Sequence, residues 1–180
     1  MAWSDELGSV LKRYTTGAAV AEPAPDVHEH YDQVAQSVPK GVLAEGLAAA
    51  FKSDRTPAFG QMLATLFNNS NSGQKAGLIN HLLGSLGPST LTQIFSGTAL
   101  AGSIGGQRNI TAEQAEHISS NDLQQVATRA EKTDPTIMDS ISSFYAQHSD
   151  LVKTLGGSAL SVALAKVAER QRRPPDSLTA

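Results

Sequence analysis

The chain has 180 residues, no cysteine, a net charge of −3 and a pI near 5.9. Without cysteine there is no disulfide framework, thiolate metal site or cysteine nucleophile, and the acidic balance argues against a dedicated nucleic-acid binder. Leu, Ile, Val and Phe together number 40 and Ala 25, which predicts a folded chain with a core of small side chains.

Taken in order, the chain reads as helical throughout. Trp3, Leu7, Val10, Leu11 and Tyr14 form one face of a short first helix, with Ser4 as its N-cap. The acids Asp5 and Glu6 and the missing apolar run predict no signal peptide, and a cytoplasmic protein is expected. Thr15 to Pro25 reads as a linker of small residues and prolines. Asp26 caps a helix to about Ser37, Pro39 opens another to about Phe51, and Thr56-Pro57 repeats that signal. Phe59, Met62, Leu63, Leu66 and Phe67 then follow at helical spacing, and Asn68 to Ser72 is a polar stop.

The segment from Ser72 to Leu86 has two faces. At about 100° per residue, Leu78, Ile79, Leu82, Leu83 and Leu86 make an apolar stripe. Gly73, Gly77 and Gly84 fall on the opposite side. Each costs a helix about 1 kcal/mol relative to Ala, so the line is expected to be a close-packing surface, within the chain or between copies. Gly87-Pro88 ends that helix and starts one to Phe95, and Gly97 to Asn109 reads as a glycine-rich connection.

Thr111 to Gln114 matches a capping box. Ser119 or Ser120 caps the next helix, which buries Leu123, Val126, Ala127 and Ala130. Asp134-Pro135 introduces a stripe of Ile137, Ile141, Phe144, Tyr145 and His148. The last helix runs from Ser158 to Arg172 and ends at Pro174-Pro175. The expected architecture is all-α: one compact multihelical domain with an N-terminal helix and linker (1–25), a glycine-rich helical core (26–109), a C-terminal helical subdomain (110–173) and a disordered tail (174–180).

Charge is uneven. From Thr56 to Gln107, 52 residues carry one charged side chain, Lys75, and nine of the 15 glycines. A solvated helical surface normally carries many charges. This segment is therefore expected to be mostly buried, or to face a partner or lipid. No run of about 18 residues is free of polar groups, which predicts no transmembrane helix.

The run ITAEQAEHISSNDLQQVATRAEKTDPTIMDSISSFYAQHSDLVKTLGG from Ile110, the opening W-x-D-E-L-x-x-V-L at Trp3 to Leu11 and the glycine-rich middle resemble the YidB-like group of uncharacterised bacterial proteins. The linker Thr15–Pro25 departs from that group. The resemblance implies an all-helical bacterial protein with a homeodomain-like three-helix element. It implies no activity and transfers no functional residue.

Few residues suggest chemistry. Asp26, His28, Glu29, His30 and Asp32 are the densest cluster of possible metal ligands. His28 and His30 are two apart, however, and point to different sides of a helix. The cluster reads as an acidic helix start favoured by the dipole, and no metal is expected. His81, His117 and His148 stand alone, with His81 expected to be a buried side chain bonded to one carbonyl. Gly102 to Gly106 lacks the preceding strand and the G-K-[ST] of a nucleotide loop. The possible helix-turn-helix at 111–148 carries acids where phosphate contact needs cations, so nucleic acid is an unlikely partner. Lys166, Arg170, Arg172 and Arg173 form a basic edge that leaves a membrane surface possible. With no recognisable acid–base pair, no enzyme, catalytic residue or cofactor is expected. The expectation is a non-enzymatic interaction or assembly protein. It binds itself as a homo-oligomer, or another protein, through Gly73, Gly77 and Gly84.

Overall fold

A computed structural model describes residues 2–15, 25–104, 107 and 109–172. Residues 16–24 and 173–180, which hold most of the expected linker and the expected tail, lie outside the described residues. Every regular element among the described residues is a helix, as the caps and apolar periodicities predict. In chain order these are α1 (Ala2–Tyr14), α2 (Val27–Ser37), α3 (Lys40–Lys52), α4 (Phe59–Asn68), α5 (Ser72–Ser85) and α6 (Pro88–Phe95). There follow α7 (Ala99–Ile104), α8 (Ala112–Glu116), α9 (Ser120–Thr133), α10 (Ile137–Ala146), α11 (Ser149–Val152) and α12 (Gly157–Arg172).

Local signals explain where several of these helices start, but Ser4 lies inside α1 rather than capping it, and Asp26 precedes α2 without a side-chain cap bond. Pro88 is the first residue of α6, where its missing N–H costs nothing. Thr111 and Gln114 make the anticipated capping box at α8, with bonds of 3.2 and 2.9 Å. Asn71 and Gln74 make a second box at α5, and the Ser119 hydroxyl accepts from the Asp122 N–H at the start of α9. The segment read as a glycine-rich connection contains a helix, α7. It begins just after Gly97, whose φ of 75° reverses the chain behind α6.

The contacts divide the chain into two bodies, cut differently from the sequential segments expected. Met1–Thr56 joins with Tyr145–Ala180, and Pro57–Phe144 forms the other. The reason lies in the pairing of α12, which packs along α3 more extensively than on any other helix. In this first body α12 also contacts α1 and α2, and α11 rests on α2. Leu43, Leu47 and Phe51 of α3 are buried, as are Leu160, Leu164 and Val167 of α12. Val10, Leu11 and Tyr14 of α1 and Tyr31 and Val34 of α2 are buried too. Ion pairs at 3.3 Å join Asp32 to Lys153 and Glu45 to Arg170. Both are substantially exposed, and such pairs add about 1 kcal/mol at most.

In the second body α4 packs on α9, α5 on α8, and α6 and α7 also on α9. The core holds Phe59, Leu63, Leu66 and Phe67 of α4, the apolar stripe of α5, and Leu123, Val126, Ala127 and Ala130 of α9. Lys75 places its Nζ over the Phe67 ring, 5.1 Å from the centroid, a cation–π contact.

Candidate binding groove and interaction surface

The uncharged segment is not simply buried. Gln61, Thr65, Asn68, Asn69 and Asn71 are exposed, as are Ser85, Ser89, Thr92, Gln93 and Ser96. This segment therefore faces solvent with neutral amides and hydroxyls where helices usually carry Lys and Glu.

The glycine line of α5 lies on that uncharged surface. Gly73 and Gly84 are exposed and Gly77 is half-buried. A Cβ added at Gly84 would meet nothing within 4 Å, and one at Gly73 would meet only the Asn71 side chain, at 3.4 Å. At Gly77 the Phe144 ring edge lies 3.3 Å away. Among the described residues, no backbone atom of another element lies within 4 Å of a Cβ placed at any of the three.

Beside Gly84 opens a groove of about 860 Å³. Leu83, Leu86 and Phe95 are its buried apolar members. Pro88, Leu91, Thr92 and Ser96 come from α6 and the turn after it, and Ala101 from α7. Gln107 and Asn109 are also in the lining, and none of these described residues is charged.

Two side chains hold the groove's walls. Arg129 Nη1 donates to the carbonyls of Ile94 and Ser96, at 3.1 and 2.7 Å. These are orphan acceptors at the end of α6, where a cation is also favoured by the helix dipole. The Asn80 amide pairs with the backbone of Ile110: its Nδ2 donates to the carbonyl at 3.1 Å, and its Oδ1 accepts from the N–H at 2.7 Å. Arg129 thus fixes the end of α6, and Asn80 fixes the chain just after Asn109. Neither residue lines the groove.

The sequence-level candidates for chemistry are dispersed. His28 is exposed, while His30 is half-buried and shares a 2.8 Å hydrogen bond with the Tyr14 hydroxyl through Nδ1. Among the described residues no three His, Asp or Glu side chains are grouped to hold a metal. His81 is half-buried, and its Nε2 donates to the Ser140 carbonyl at 2.8 Å, with the Phe144 ring beside it. His117 is exposed at the end of α8.

A smaller cleft of about 360 Å³ in the first body is lined by Tyr14, Ala49, Val162 and Ala165, with a Lys166–Glu169 ion pair on its wall. Burial, reinforced by Asp26 and opposed by Arg13, raises the Tyr14 phenol above its ordinary range. Burial, with neighbouring Asp32, raises Tyr31 further. Neither shift produces a group poised to exchange protons near neutral pH.

No described helix is long and apolar enough to cross a membrane. The chain matches no family model, no curated protein and no solved structure.

Proposed function

We infer that this chain is a non-enzymatic interaction protein of the cytoplasm. It self-associates through the glycine-bearing, uncharged face of the body formed by residues 57–144. The observation that supports this reading is the exposed surface that residues 57–104 give to that body, neutral except for Lys75 in a chain that elsewhere places Lys, Arg, Asp and Glu freely. In a twofold contact the same patch meets its own copy. A patch of one sign would repel itself, whereas amides, hydroxyls and bare glycine Cα atoms do not. The open faces at Gly73 and Gly84 let a second helix come close. The resemblance to YidB-like proteins adds no activity to this reading.

Light scattering on purified protein, from about 1 to 100 μM, tests it. Wild type is expected to form a discrete oligomer. Gly73→Glu and Gly84→Glu place carboxylates in open space and should keep the helical spectrum while reducing the mass toward that of one chain. Gly73 sits in the first turn of α5, where an acid also suits the helix dipole. A monomeric wild type, or an oligomer unaffected by both variants, overturns the reading.

A further inference from the structure

We draw no further inference here: the strongest candidate, the groove between α5, α6 and α7, shares Gly84 with the self-association face already described, and its lining includes Gln107 and Asn109 on either side of Arg108, which lies outside the described residues, so nothing in the structure shows what covers it.

Discussion

The backbone oxygen of Ala163 occupies the space that a side chain at Gly46 would need: a Cβ added there would lie 2.7 Å from it. The other body has a counterpart. A Cβ at Gly60 would lie 2.6 Å from the Thr128 hydroxyl and 2.8 Å from the Gln124 carbonyl oxygen. These two glycines sit at the most extensive helix pairings of their bodies, α3 with α12 and α4 with α9.

Gly46→Ala and Gly60→Ala should therefore destabilise the chain. Overpacking costs about 1–3 kcal/mol, and the better helix propensity of Ala returns about 1 kcal/mol. Gly84→Ala meets open space and should stabilise by up to about 1 kcal/mol. Chemical denaturation of the three variants checks the order, and a reversed order would contradict the helix pairings.

Tyr31 is fully buried and its hydroxyl has no hydrogen-bond partner among the described residues. An unsatisfied buried hydroxyl costs about 1–3 kcal/mol, so Tyr31→Phe should be neutral or stabilising. The pH dependence follows from the raised phenol. Above the ordinary tyrosine value of 10.0 the unfolded chain releases this proton while the folded chain keeps it. The unfolded state then binds fewer protons, so stability is full below that pH and falls as pH rises through and above it. Tyr31→Phe should flatten this decline in urea unfolding measured between about pH 9 and 11.

Removing a clamp should loosen α6 more than the rest of its body. Arg129→Met keeps much of the side chain's bulk and deletes two charge-assisted bonds to carbonyls. Each such bond contributes about 1.5–3 kcal/mol, and water recovers part of the loss at this partly exposed site. Hydrogen exchange should quicken chiefly in α6, whereas Asn80→Ala should quicken it at Ile110. Uniform acceleration throughout 57–144 in both variants would argue against local clamps.

The body formed by residues 57–144 is continuous in sequence. A fragment of those residues should be helical and unfold cooperatively, while a fragment of residues 1–56 should not, because its α3 lacks α12. Circular dichroism with thermal melts decides the matter.

The helical class was legible because its signals are local: Pro88 at a first turn, Thr111 with Gln114, Ser119 before α9. α7 was hidden because Gly97, Gly102, Gly105 and Gly106 surround or interrupt it, and glycine density reads as a connector. The glycines in closest contact were equally hidden. Gly73, Gly77 and Gly84 align within one helix and draw notice, yet among the described residues no backbone of another element faces them. Gly46 shares its helix only with Gly41, five residues away and off its line, Gly60 stands alone on its own, and what confines them arrives from Ala163 and Gln124, remote in sequence. The groove was illegible for the same reason. Its lining comes from three helices and a loop, and its clamps, Asn80 and Arg129, read as ordinary surface residues.

Because α3 finds its main partner in α12, the order of synthesis separates them. Some 100 residues leave the ribosome between Phe51 and Gly157, a wait of about 5–20 s at ordinary elongation rates. During that interval 57–144 can close on itself, while Leu43, Leu47 and Phe51 remain without the surface that covers them. The nascent chain thus carries an exposed sticky helix until the last segment emerges. A cell lacking the chaperones that shield such helices should accumulate aggregates of chains arrested before α12, and far fewer of chains released complete.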